Sequence, residues 1–436
     1  MPAYVLRLSL SLGCLAAFVL PASSQMPPGT LTTIWNFSSS GESRQPDTGV
    51  IVGPNGVLYG TTWGAANLFS LTPPTKTGGS WTLKQLYAFP IVWIGREGFS
   101  TAPNGLAMDS NGVIYGTNSS GGILTGPCSA PLVGCGSVFL LTPPPETGGE
   151  WTETTLYTFT GGDDGGGPAA GVTIGPGGVL YGTAELKGAS SVGTAFSLTP
   201  PAAPGGAWVE ATLHTFTGTA GTDGSAPTGA LAIDGSGILY GTTCYGGAAN
   251  RGTVFSLTPP AIAGGPWTET ILYSFSGGTD GSVPDGGVVL GPSGVLYGST
   301  RVGGANNGGA VYALTPPSVS GGAWTEAVLY SFQTADSSVP DPGPLTFGPN
   351  GALYGTTYRG GAGHEGTVFA LTPPTSAGSS WGYVEIYGLD AASGYYPTTT
   401  IVPGGEILAV GSGGMIFGTG SFGGTGNEGT VFELRP

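Results

Sequence analysis

Val57-Leu58-Tyr59-Gly60-Thr61, Val113-Ile114-Tyr115-Gly116-Thr117, Val179-Leu180-Tyr181-Gly182-Thr183, Ile238-Leu239-Tyr240-Gly241-Thr242, Val295-Leu296-Tyr297-Gly298-Ser299, Ala352-Leu353-Tyr354-Gly355-Thr356 and Met415-Ile416-Phe417-Gly418-Thr419 are seven versions of one phrase. Their aromatic residues follow one another at 56, 66, 59, 57, 57 and 63 residues. Intervals of this length, filled with short alternating strands and glycine turns, predict the blades of a β-propeller and not a helical solenoid. Working outward from the phrase in the fifth unit, four strands can be read: A over Gly286 to Gly291, B over Gly294 to Thr300, C over Gly309 to Thr315, and D over Trp324 to Phe332. Breakers separate them. Pro292-Ser293-Gly294 turns A into B, glycines 303–304 and 308–309 turn B into C, and Pro316-Pro317 with Gly321-Gly322 turns C into D. Strand C must stop at Pro316, because neither proline can donate a ladder hydrogen bond.

The two ends of the repeat array complement each other. The seventh unit stops after Val431-Phe432-Glu433-Leu434, at the end of strand C, and lacks a strand D. Near the other end, Ile34-Trp35-Asn36-Phe37 matches the strand D phrase Leu329-Tyr330-Ser331-Phe332 but has no A, B or C before it. Placing residues 30 to 38 on the outer edge of the last blade closes a seven-membered ring and covers the edges that a linear stack would expose. The expected fold is therefore all-β, a seven-bladed β-propeller of four antiparallel strands per blade. It forms one domain over residues 25–436, with the N-terminal strand completing the last blade.

The longer phrase Gly-x-Leu-Tyr-Gly-Thr-Thr-x-x-Gly-Gly…Gly-Thr-Val-Phe-x-Leu-Thr-Pro resembles the GloVer tandem repeat of exported bacterial proteins with varied C-terminal anchors, and it covers nearly all of residues 25–436. That resemblance implies export and a repeat fold, and brings no activity or catalytic residues with it. The sequence departs from the family pattern by ending at Arg435-Pro436 without an apolar tail or sorting signal, which puts the family's anchor in doubt. A looser similarity to kelch blades lies in the Tyr-Gly…Gly-Gly spacing. Gly148-Gly149-Glu150-Trp151 also resembles the tail of the Asp-box of sialidase-like propellers, without its aspartate. That box staples a hairpin and says nothing about hydrolysis.

Residues 1–24 read as a secretory signal peptide: Arg7, an apolar stretch from Leu8 to Leu20, then small residues with cleavage expected after Ser24. Cys14, after Leu12-Gly13, offers lipidation as an alternative, but Ser11 stands where a branched apolar residue is expected. No stretch reaches the roughly 18 to 20 apolar residues of a transmembrane helix. The chain is poor in charge, 8% of residues, and carries a net −15. Such a surface repels phosphate backbones and anionic lipid, so nucleic acid is not an expected partner. The 85 glycines and 37 prolines belong to the periodic turns. Cys128 and Cys135, in a Gly/Pro/Ser loop, are expected to form a local disulfide contributing on the order of 2 kcal/mol. Cys244 is then left over and reads as a buried small apolar residue.

In a four-stranded blade the D–A and B–C connections share one face of the ring, and the A–B and C–D turns share the other. The A–B and C–D turns are short and uniform, whereas the D–A and B–C loops vary in length and side chain, as binding loops on a rigid scaffold do. The D–A loops repeat an acid followed by proline: Glu42 with Pro46, Asp164 with Pro168, Asp223 with Pro227, Asp280 with Pro284, and Asp336 with Pro340. Asp47, Asp285 and Asp341 directly follow three of these prolines. Carboxylates in glycine-rich loops suit Ca²⁺. Capping of each loop by its own aspartate is favoured over calcium, because no loop has the dense acid spacing of a dedicated calcium site. The starts of the B–C loops carry Trp63, Tyr245, Tyr358 and Phe422, with Arg301 and Arg359 among them. These could stack on sugar rings or anchor a protein partner, or pack between blades. The loop from Ser119 to Gly136 is the longest of its set and the expected rim contact. Strand D aromatics such as Tyr157 with Phe159 and Tyr273 with Phe275, and the tryptophans at 81, 151, 208, 267, 324 and 381, are assigned to the core.

Two histidines, His214 at a strand D tyrosine position and His364 in the sixth B–C loop, exclude a three-histidine metal site within the chain and lie in no triad motif. The leading expectation is a secreted or cell-surface recognition module, monomeric and without a resident cofactor, that binds glycan or an extracellular protein through the D–A/B–C face. The alternatives are a carbohydrate-active lyase or glycosidase with paired carboxylates on that face, and a purely structural envelope protein. Turnover of a polysaccharide, lost on mutating Asp280 or Asp336, would mark the enzyme; self-association without a ligand would mark the structural component.

Overall fold

The computed structural model describes residues 30–38, 45–62, 66–76, 78–94, 97–100, 103–129, 134–146, 148–203, 205–219, 221–262, 264–319, 321–333, 343–348, 351–361, 363–376, 378–397 and 408–435. Each copy of the quoted phrase forms strand B of a four-stranded antiparallel sheet, and the seven sheets are the blades. Blade 1 comprises Ile51–Val52, Leu58–Thr62, Asn67–Thr72 and Thr82–Ala88, and blade 2 Leu106–Met108, Ile114–Asn118, Ser137–Thr142 and Thr152–Thr158. Blade 3 comprises Thr173–Ile174, Leu180–Ala184, Thr194–Thr199 and Val209–Thr215, and blade 4 Ala232–Ile233, Leu239–Thr243, Thr253–Thr258 and Thr268–Ser274. Blade 5 comprises Val288–Leu290, Leu296–Thr300, Ala310–Thr315 and Thr325–Ser331, and blade 6 Thr346–Phe347, Leu353–Thr357, Thr367–Thr372 and Gly382–Gly388. In blade 7 strands A to C are Ala409–Val410, Ile416–Phe422 and Thr430–Arg435, and Thr30–Asn36 supplies strand D.

That last pairing runs antiparallel from Thr30 opposite Arg435 to Asn36 opposite Thr430. It reproduces a detail that the sequence reading did not anticipate. In every blade the C–D ladder slips by one residue, as at Leu156 of blade 2 between Tyr157 and Thr155, and the N-terminal strand slips at the equivalent Ile34. Such a bulge raises the local twist of the strand.

The hydrophobic core is divided among the seven gaps between blades, one cluster per gap. The strand D phenylalanine of one blade meets the strand C aromatic of the next edge to face, as Phe159 meets Phe196 at 5.1 Å and Phe216 meets Phe255 at 5.1 Å. The tryptophan preceding strand D leans back on the strand B aromatic of the blade before, as Trp151 does on Tyr59 at 6.0 Å and Trp208 on Tyr115 at 6.3 Å. Each buried ring is worth about 1.5–3 kcal/mol of apolar transfer. Across the gap that joins the chain ends, Phe37, Phe417 and Val431 pack with Leu58 and Phe69.

Glycine in the Tyr-Gly-Thr phrase follows from the same packing. A Cβ on Gly60 would stand 2.7 Å from the Phe69 ring, and one on Gly182 2.6 Å from the Phe196 ring. The following hydroxyl ties neighbouring blades together: Thr117 donates to the Ala170 carbonyl, Thr183 to Gly229, Ser299 to Gly343, and Thr419 of blade 7 to Thr48 ahead of blade 1. Cys128 and Cys135 form a disulfide that is buried with Val138 and Phe159. Cys244 is free and buried. No helix among the described residues is long and apolar enough to cross a membrane.

Candidate binding face

In blades 1, 3, 4, 5 and 7 the entering D–A connection lies against the outer end of that blade's own strand B or the start of its B–C loop. Gly224–Ser225 pairs antiparallel with Tyr245–Gly246, and single bridges join Pro46 to Thr62, Gly166 to Leu186 and Ser282 to Val302. In blade 7, Tyr395–Pro397 pairs with the outer part of strand B. The D–A connection into blade 2 carries a hairpin of Ile91–Ile94 with Glu97–Ser100. The variable face is therefore braced by backbone hydrogen bonds and is not a set of independent loops.

Three of the D–A acids hold these loops from inside. Asp164 accepts from the Thr160 N–H (2.6 Å), the Thr160 hydroxyl (2.6 Å), the Gly162 N–H (3.1 Å) and the Tyr157 hydroxyl (2.9 Å). Asp280 repeats the pattern with the Ser276 N–H and hydroxyl, Gly278 and the Tyr273 hydroxyl. Asp223 accepts from the Thr217 N–H and hydroxyl and the Gly224 N–H, and its fourth neighbour is Nε2 of His214 at 3.3 Å. All three carboxylates are buried and act as caps of their own turns. Glu42, Asp336 and Asp341 lie outside the described residues, as does Trp63.

Beside each cap stands a strand D glutamate of the next blade, a group that the sequence reading passed over. Tyr87 donates to Glu153 at 3.2 Å. Glu210 lies near Asp164, Glu269 near His214 and Asp223, and Glu326 near Asp280. Burial pushes the Glu269 carboxyl up to about 7; His214 offsets this in part and Asp223 adds to it. Burial, helped by the Asp280 charge, pushes Glu326 up to about 7 as well. Desolvation of an unpaired carboxylate is the physical cause. The repeated Trp-Thr-Glu at 151–153, 267–269 and 324–326, in a chain with so little charge, was the available signal.

The proposed aromatic and basic contacts stand at one loop position on four successive blades and do not converge on a single point. Tyr245 is 50% exposed on blade 4 and Phe422 36% exposed on blade 7. Arg301 of blade 5 reaches Asp285 of its D–A loop at 3.7 Å. On blade 6 the Arg359 guanidinium lies 5.6 Å from the Tyr358 ring centroid. Arg359 also borders a small, shallow groove of about 80 Å³, partly open to solvent, with Tyr330, Gln333, Tyr383 and Glu385 along its walls. Tyr330 and Tyr383 stack face to face at 3.9 Å, with Tyr383 standing where the other blades carry glutamate or leucine. The Cys135 end of the stapled loop sits against the D–A loop entering blade 3, where the Gly167 N–H donates to the Cys135 carbonyl.

The profile of the Gloeobacter/Verrucomicrobia repeat matches residues 101–289 and 261–436. No curated protein matches the sequence. Among solved structures, a streptogramin B lyase is similar with a TM-score of 0.53 at 15% identity, over 93% of this chain and 97% of that one. A virginiamycin B lyase from Staphylococcus aureus, determined with quinupristin, is similar with a TM-score of 0.51 at 16% identity, over 94% of this chain and 99% of its own. At these identities the likeness is one of fold.

Proposed function

This chain belongs to the Gloeobacter/Verrucomicrobia repeat family, and from the ring that its repeats build we propose that it is an exported recognition module whose D–A/B–C face binds glycan. The observation that carries this reading is the groove between blades 5 and 6, where stacked Tyr330 and Tyr383 meet Arg359 and Glu385. Aromatic rings offer an apolar surface to the C–H faces of a sugar, and guanidinium and carboxylate groups select its hydroxyls. Asp164 and Asp280 fit the same reading, since their oxygens are committed to their own loops. Residues 1–24 are read as the export signal, so the mature chain would begin at Gln25.

The test is a glycan array probed with the purified chain and with Arg359→Ala and Tyr358→Ala. We expect binding to a restricted glycan set, weakened at least about tenfold in each variant, the scale of a lost interface contact above 1 kcal/mol. No glycan binding, or binding indifferent to both changes, overturns the reading. Capture of a protein from envelope extract that is insensitive to glycosidase treatment would replace glycan with protein as the ligand.

A further inference from the structure

Blade 3 breaks the pattern of its neighbours at one point. In blades 2 and 4 a tyrosine of strand D points its hydroxyl at the capping aspartate, Tyr157 at Asp164 and Tyr273 at Asp280. In blade 3 that position is His214. A tyrosine hydroxyl can only serve as a hydrogen-bond link there, whereas an imidazole brings a lone pair suited to metals. The side chain across the gap is Glu269, in strand D of blade 4. One donor atom from each of His214, Asp223 and Glu269 lies within 4.8 Å of the other two.

We propose that His214, Asp223 and Glu269 form a binding site for a divalent ion of the Zn²⁺ type, with water completing its coordination.

The geometry supports this in four ways. Two donors each about 2.0–2.1 Å from a tetrahedral ion stand roughly 3.3–3.4 Å apart, and His214 Nε2 stands 3.3 Å from Asp223 Oδ1. Glu269 need close by at most about 1.5 Å to reach the same spacing, within the swing of a glutamate side chain. Asp223 is pre-aimed, because the Thr217 N–H and hydroxyl and the Gly224 N–H hold its carboxylate whether or not the imidazole donates to it. Glu269 Oε1 is buried and has no hydrogen-bond partner among the described residues, a cost that an ion would remove. His214 is 22% exposed, which leaves an entry path. On binding, the neutral imidazole carries its proton on Nδ1 and turns the Nε2 lone pair to the ion. One nitrogen and two carboxylates suit Zn²⁺, Co²⁺ or Mn²⁺. They do not suit Ca²⁺ or Mg²⁺, which take oxygen ligands.

The experiment uses untagged full chain, stripped with EDTA and dialysed, titrated with Zn²⁺ alone by calorimetry and with Co²⁺ by visible absorption. We expect about one equivalent of Zn²⁺, a Co²⁺ ligand-field band, and no competition from excess Ca²⁺ or Mg²⁺. His214→Tyr restores the arrangement of blades 2 and 4 and should keep the ring folded, as circular dichroism would verify. It should lose Zn²⁺ affinity by about 100-fold or more, and Glu269→Gln by about tenfold or more. No stoichiometric uptake by the wild type, or equal uptake by folded His214→Tyr, overturns the proposal.

Discussion

Gly182 carries no chemistry, yet its lack of a side chain makes room for the tip of the Phe196 ring. Phe196 is fully buried and clamped by Phe159, so it has no room to retreat from the Cβ that Gly182→Ala would place 2.6 Å away. Overpacking of this kind costs about 1–3 kcal/mol. Calorimetry should show Gly182→Ala melting several degrees below wild type; an unchanged Tm would mean that the gap between blades 2 and 3 is looser than its contacts imply. Cys244 is a residue of the same sort. Its thiol sits 3.1 Å from the Thr228 hydroxyl, and burial, with Asp285 adding to it, pushes it up to about 12. It is a packing group and not a reactive thiol.

Strand D is where packing and charge meet. In blades 2 and 4 its phenylalanine and bulged leucine face the core, its tyrosine hydroxyl ties down a capping aspartate, and its glutamate lies beside the previous blade. Glu326 and Asp47, raised by burial to about 7 from 4.5 and 3.8, bind their protons more tightly when folded than when unfolded. Their contribution is complete below the unfolded values and is lost as pH climbs through about 7. Asp223, despite its burial, is held below its ordinary value by hydrogen bonds from His214 and Thr217, and Asp390 by those from Ser393. Both contribute fully above pH 3.8. Between these limits the signs agree, so Tm should be higher at pH 5.5 than at pH 8, by a few degrees given the partial exposure of these groups. A thermal melt series across that range measures it, and a Tm that rises with pH would contradict the burial of Glu326 and Asp47.

Closure of the ring rests on nine residues near one end of the chain. Thr30–Asn36 covers the edge of Thr430–Arg435, and Phe37 enters the core of the gap between blades 7 and 1. Thr419 donates to the Thr48 carbonyl across the same gap. Deleting residues 30–38 would expose an edge strand and leave Phe69 facing solvent, a combination that invites edge-to-edge association. Size-exclusion chromatography of that truncation should show aggregate, or a monomer with a broadened and lower melt. A monomer as heat-resistant as wild type would disprove the closure.

Blade count, strand order, the permuted strand and the Cys128–Cys135 bridge were all legible in the residues, because periodicity, proline breakers and cysteine spacing are local and the strands pair with near neighbours. The caps on Asp164, Asp223 and Asp280 were legible in part, since an aspartate within six residues of its donors is a local matter. What stayed hidden were contacts between segments far apart in sequence: the brace of Gly224–Ser225 on Tyr245–Gly246 within blade 4, and, across the gaps, the Tyr330–Tyr383 stack and the meeting of His214 with Glu269. Those partners lie some 20 to 55 residues apart, on segments whose relative rotation is set by how seven blades share one circle. Ring packing sets that rotation, and no single repeat encodes it.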